Sequence, residues 1–129
     1  MAYSINWQIE GRVLYERIYG DTTIEELTEL NGAVNILISQ QAIPPMHVII
    51  DLSDIAHYPT NLREIAGTMR TNDRSKLGWT VIITQNRFVR YIASITIQLA
   101  GARFRIFGEL PEAYRFLTSV DDSLSLPGL

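Results

Sequence analysis

Tyr3, Ile5, Trp7 and Ile9 are spaced by Ser4, Asn6 and Gln8, the two-residue period of a half-buried strand. Glu10-Gly11 interrupts the pattern and Val13 to Ile18 resumes it, which predicts an antiparallel hairpin. Gly20-Asp21 then turns the chain. Thr22 with Glu25 reads as a capping box, in which the two side chains satisfy free amides at a helix start. Ile24, Leu27, Leu30, Val34, Leu37 and Ile38 follow on one face of that helix, and Pro44-Pro45 ends the element.

The run Val48-Ile49-Ile50-Asp51-Leu52-Ser53-Asp54 carries the most information. A β-branched apolar run that stops at an acid is how a buried parallel strand delivers the chain to the carboxyl edge of an α/β sheet, where such folds place ligands. Asn61 and Glu64 then suit the start of a second helix with Leu62, Ile65, Ala66 and Met69 inward. A polar loop, Thr71 to Lys76, leads to a third buried strand from Trp79 to Thr84. The next helix runs from about Arg87 to Ala100, with Gly101 placed to stop it in a left-handed conformation. Arg103 to Phe107 alternates as a last strand. Pro111 opens a closing helix that turns Ala113, Tyr114, Phe116 and Leu117 inward.

The order ββαβαβαβα predicts an α/β fold, a mixed, mostly parallel five-stranded sheet shielded by four helices, with right-handed crossovers. Residues 1–120 read as a single domain. Residues 121–129, with Ser, Pro and Gly and no period, read as a frayed tail.

Composition narrows the function classes. A chain of 129 residues with 47% hydrophobic and 19% charged residues can bury a real core, and it contains no cysteine for disulfides, thiolate metal sites or thiol nucleophiles. Met1 to Val13 has no basic start followed by an apolar core, and the apolar stretch Phe88 to Ala102 is broken by Arg90, Ser94 and Gln98. A soluble cytoplasmic protein is expected. The net charge of −3 is uneven: from Arg63 to Arg105 eight cations face only Glu64 and Asp73, a net of +6 that leaves −9 elsewhere. Such a block reads as scattered solvated faces, as an anion site or as a contact for an acidic protein. Nucleic acid is not an expected partner, because the chain is acidic and has no interleaved basic and aromatic stripe.

Candidates for chemistry are few. Asp51 and Asp54 resemble a carboxylate pair, but Asp51 is better placed to accept amides of the loop beyond its strand, with Asp54 in solvent. His47 and His57 lack metal-ligand spacing, Ser53 lacks a nucleophile-elbow setting, and there is no glycine-rich phosphate loop. No cofactor, metal or enzymatic activity is expected. The helix after Gln85 carries two apolar stripes, Phe88, Ile92, Ile95 and Leu99 beside Val89, Ala93, Ile97 and Ala100, with Tyr91 adding bulk. One stripe covers the sheet. The other requires burial within the domain, a second subunit or a greasy ligand, and Arg87 and Arg90 set cations beside it.

Two stretches carry a family likeness. Val48-Ile49-Ile50-Asp51-Leu52-Ser53-Asp54-Ile55 resembles the central strand of the SpoIIAA-like or STAS group, the bacterial anti-sigma-factor antagonists and their relatives. Phe104 to Leu117 is similar to the closing segment of the broader SpoIIAA-like branch. In the antagonists the turn after the central strand holds a serine phosphorylated by a partner kinase. By position that turn falls on Pro59-Thr60-Asn61-Leu62, so the resemblance makes Thr60 the candidate switch, with Pro59 and Leu62 replacing the usual aspartate and glycine.

The function expected from this is a non-enzymatic STAS-like regulatory module that docks a protein partner and forms a homodimer. Ser53, Asp54, His57, Asn61 and Arg63 are the candidate partner surface, and Arg87, Phe88, Arg90, Tyr91 and Ile95 the candidate dimer or ligand surface. The alternative is a carrier or sensor of a small apolar or anionic amphiphilic ligand, since relatives resemble CRAL-TRIO lipid-transfer domains in topology.

Overall fold

The structure is a computed structural model and describes residues 3–70 and 74–124. Strands β1 (Tyr3–Ile9), β2 (Val13–Ile18), β4 (Met46–Asp51), β6 (Leu77–Ile83) and β7 (Phe104–Phe107) form one sheet in the order β1-β2-β4-β6-β7. Only β1 is antiparallel to its neighbour. Gly11 closes that hairpin at a φ of 77°, where a Cβ would also strike the Gln41 carbonyl at 2.7 Å.

Helices α1 (Ile24–Gln41), α2 (Leu62–Gly67) and α3 (Arg87–Ala100) occur in successive crossovers, all stepping the same way across the sheet. They therefore share one face, packing on Leu14, Ile18, Val48, Ile50 and Ile82. Helix α4 (Leu110–Val120) follows the last strand and covers the other face, where Ala113, Tyr114 and Leu117 meet Val13, Ile49, Val81 and Ile83. The elements match the periodicity closely: Gly101 does end α3 at a φ of 77°, and Pro111 lies in the first turn of α4.

Three features differ from expectation. Gly20–Asp21 and Ile55–His57 are not plain turn and loop. They pair as short parallel strands, β3 and β5, above the carboxyl edge. The cap of α1 lies one residue later than expected. Thr23, not Thr22, accepts the Glu26 amide at 3.2 Å, because the Thr22 amide already donates to the His57 carbonyl at 2.7 Å in the β3–β5 pair. The start of the expected frayed tail is held: Leu124 is buried and Asp121 is clamped at the sheet's amino edge. Residues 125–129 of that tail lie outside the described residues.

The clamp is a closed polar network. Arg12 Nη2 donates to Asp121 Oδ2 at 2.7 Å and His47 Nε2 meets the same oxygen at 2.9 Å, while the Ser123 hydroxyl and amide donate to Asp121 Oδ1. His47 Nδ1 accepts the Trp79 amide at 3.0 Å, so the buried ring is the neutral tautomer with its proton on Nε2. Burial lowers the His47 pKa against the pull of Asp121. Burial also pushes the Asp121 carboxyl upward, but the donors from Ser123 and His47 and the Arg12 charge outweigh it and hold the group at about 2. Gly78 makes room for the ring, since a Cβ there would overlap His47 Nδ1 and Cε1.

Two outcomes follow from this network. A lowered folded pKa means that the unfolded chain binds the His47 proton first, so the histidine's stabilising contribution is complete above about pH 6.5 and fades as pH falls below it. Urea unfolding of the parent and of His47→Gln, compared at each pH to remove other titrating groups, should show a stability difference that shrinks between pH 7 and pH 5. A difference independent of pH would contradict the neutral tautomer. Gly78→Ala should lose about 1–3 kcal/mol through overpacking against the ring, measured in the same assay, with no change in far-UV circular dichroism.

Candidate functional site

The carboxyl edge is organised by Asp51. Its Oδ1 accepts the Ser53 amide at 2.9 Å and the Ser53 hydroxyl at 2.5 Å, which folds the chain back after β4, and the Tyr15 hydroxyl donates to its Oδ2. Burial, then the bond to Asp51, pushes the Tyr15 phenol far above its usual range. Both groups are thus occupied in shaping the turn. Asp54 is exposed and bridges to Arg17 at 2.7 Å, and His57 Nδ1 meets Asp21 Oδ1 at 2.6 Å on the surface of the β3–β5 pair.

The chain then reaches Thr60, which is exposed. Asn61 caps α2 by accepting the Glu64 amide at 3.1 Å, so Thr60 is left out of the cap. Arg63 is exposed on α2. Ser53, Asp54, His57, Thr60, Asn61 and Arg63 are thus all exposed on the stretch of chain that follows β4. Tyr58 joins this edge to α3, with its ring centroid 6.2 Å from that of Phe88.

On α3 the stripe of Val89, Ile92, Ala93, Thr96 and Ile97 is buried. Phe88, Tyr91 and Leu99 are 55%, 61% and 57% exposed, with Ile95 half-buried between them. Arg87 and Arg90 are exposed at the helix start, and Arg90 Nη2 donates to the Ile106 carbonyl at 3.2 Å. Of the expected stripe of Phe88, Ile92, Ile95 and Leu99, Phe88 and Leu99 therefore face outward, Ile95 is half-buried and Ile92 turns into the core.

Beneath this edge lies a feature that the expected site residues do not include. A half-open cleft of about 170 Å³ lies between the sheet, α1, α2, α3 and the segment carrying Ile55, Tyr58 and Pro59. Its wall is apolar except for a few groups. Asn31, Thr68 and Thr96 spend their side chains on backbone carbonyls. Two others do not. Glu16 is 6% exposed, and among the described residues it has neither a hydrogen-bond partner nor an ion pair. Thr22 Oγ1 is buried and also without a partner.

Glu16 reaches this position because β2 alternates: Leu14, Glu16 and Ile18 share the face turned to α1, and all three are buried. Desolvation alone pushes its carboxyl up to about 8, so the group is largely protonated at neutral pH. The signal lay in the chain, as a lone acid between Leu14 and Ile18 at strand spacing, but a strand has two faces and the local pattern does not say which is the core. Thr22 was missed because it resembled a cap.

No protein-family model matches the chain, and no curated protein matches its sequence. Solved structures do match. An uncharacterised protein of the DUF3478 family with a SpoIIAA-like fold, from Shewanella loihica PV-4, superposes with a TM-score of 0.66 at 13% identity, over 90% of this chain and 94% of that one. The anti-sigma factor antagonist SpoIIAA in its unphosphorylated form superposes with a TM-score of 0.58 at 11% identity, over 96% of this chain and 100% of that one. Agreement over nearly the whole of all three chains, with the same mixed sheet and four helices, shows that this protein has the SpoIIAA-like fold.

Proposed function

We propose that the protein is a non-enzymatic regulatory module that docks a protein partner on its carboxyl edge and pairs with a second copy of itself along α3. The observation that carries the reading is the adjacency of two surfaces. An edge turn fixed from beneath by Asp51 stands against a helix whose outward stripe exposes Phe88, Tyr91 and Leu99. A turn held rigid by its own hydrogen bonds loses little entropy on binding, and exposed aromatic side chains are the usual anchors of protein interfaces. The charge around the edge selects the partner. Asp54 and His57 already have partners of opposite or complementary character, whereas Arg63, Arg87 and Arg90 leave a positive rim suited to an acidic protein segment.

Thr60 is the hydroxyl within this edge that a kinase could reach, and a phosphate there would turn the positive rim against an acidic partner. The resemblance to an anti-sigma factor antagonist supports this reading at the level of fold.

A photo-crosslinking residue at position 60, introduced in the protein's own host, should capture one protein, while the same residue at position 115 on α4 should not. Arg63→Glu should abolish the adduct with stability within about 0.5 kcal/mol of the parent. An adduct that survives Arg63→Glu, or equal capture at both positions, would refute the edge as the docking site. For self-association, sedimentation should show a dimer that Phe88→Ser with Leu99→Ser converts to monomer. A parent that is monomeric at high micromolar concentration removes the dimer.

A further inference from the structure

The register of the sheet lines up one residue from every strand: Ile5, Glu16, Ile50, Ile82 and Ile106 are successive partners. Four isoleucines and one glutamate make this row, on the face that the cavity opens onto. An isoleucine at position 16 would complete an apolar wall, so the carboxyl is a departure that the fold itself does not require. Buried polar groups are nearly always hydrogen-bonded, and each exception calls for a reason. Here the Thr22 hydroxyl is such an exception among the described residues, and the unpaired carboxyl of the largely buried Glu16 lines the same space.

We propose that this cavity binds a small apolar amine, its ammonium held by Glu16 and Thr22 and its hydrocarbon body lying along Ile50, Ile82 and Ile97. The acceptors fit an ammonium: the Glu16 carboxylate can take two of its three N–H donors, and the Thr22 hydroxyl is a further free acceptor on the same wall. The charge fits as well. Among the described residues no lysine or arginine lines the cavity, so an anionic head, one of the classes expected from the sequence, would meet Glu16 with no cation to balance it. The volume indicates the size of the part held within the cleft, since a dry engineered cavity of about 150 Å³ accepts benzene. About 170 Å³ suits a body of one ring or a short alkyl chain. The docking reading is not needed for this inference, although Tyr58 and Pro59 form part of both surfaces.

Binding moves a proton in a defined direction. Among the described residues Glu16 and Tyr58 are the titratable side chains on the cavity wall, and none comes from β4, β6, α1, α2 or α3. Below about pH 8 the empty site holds the Glu16 proton. An amine arrives already charged, so that proton leaves to solvent as the ion pair forms, and affinity rises about tenfold per pH unit between pH 6 and 7.

Calorimetry with benzylamine, benzyl alcohol and toluene tests the proposal on the intact chain. Benzylamine should bind at least tenfold more tightly than the other two at pH 8, and release close to one proton at pH 6.5 when buffers of different ionisation enthalpy are compared. Glu16→Gln should remove the preference for the amine and the proton release while toluene still binds, which shows that the cavity survives. Glu16→Leu provides a second, fully apolar variant should Gln perturb folding. Equal affinity for the three probes, no binding by any of them, or an amine preference unchanged in both variants would overturn the proposal.

Discussion

The parallel ladder of β2, β4 and β6 is the constraint on which everything else in this molecule rests. Parallel pairing forces each connection to cross from one edge of the sheet to the other, and the common hand of those crossings puts α1, α2 and α3 on a single face. The same pairing sends β2, β4, β6 and β7 out at the same edge, where Asp51 ends β4 and β3 pairs with β5. With three helices on one face and α4 alone on the other, the two sides pack differently. The α4 side closes around Val13, Ile49, Val81 and Ile83, while the side of three helices keeps an internal space.

The two edges of the sheet treat buried polar groups in opposite ways. At the amino edge Arg12, His47, Asp121 and Ser123 satisfy one another, and the Trp79 amide completes the histidine. A network in which every member is paired holds one arrangement firmly, and it fastens the end of α4 to the starts of β2, β4 and β6. Nearer the carboxyl edge, among the described residues, the Glu16 carboxyl and the Thr22 hydroxyl have no protein partner. A protonated carboxyl is far cheaper to bury than a carboxylate, and its raised pKa records that cost. Well-packed folds depart from local consistency chiefly at functional sites, which gives the contrast between the two edges its meaning.

Helix α3 links the interior to the surface. Its buried stripe forms a wall of the cavity and its outward stripe exposes aromatic side chains, while Tyr58 reaches from the edge turn to Phe88. Whatever occupies the cavity therefore lies one side chain away from the surface proposed for docking. The exposed stripe also explains why α3 reads as the most ambiguous helix in the chain: its core-facing positions alternate with bulky residues that the monomer leaves in water.

Most of the architecture is local and so was legible. Strand and helix periods, the Gly101 stop, the Asn61 cap and the acid that ends β4 all depend on residues within a few positions of one another. Ser53, Asp54, His57, Thr60, Asn61 and Arg63 are exposed, because polar turns and helix starts seldom go inside. What only the tertiary structure decided involves pairs remote in sequence. Thr22 gives up its capping place because its amide meets His57, Asp121 is held in place by Arg12 and His47, and Glu16 is buried because β2 presents one particular face to α1. An alternating strand states that its residues point two ways, and only the helices packed against it determine which way is in.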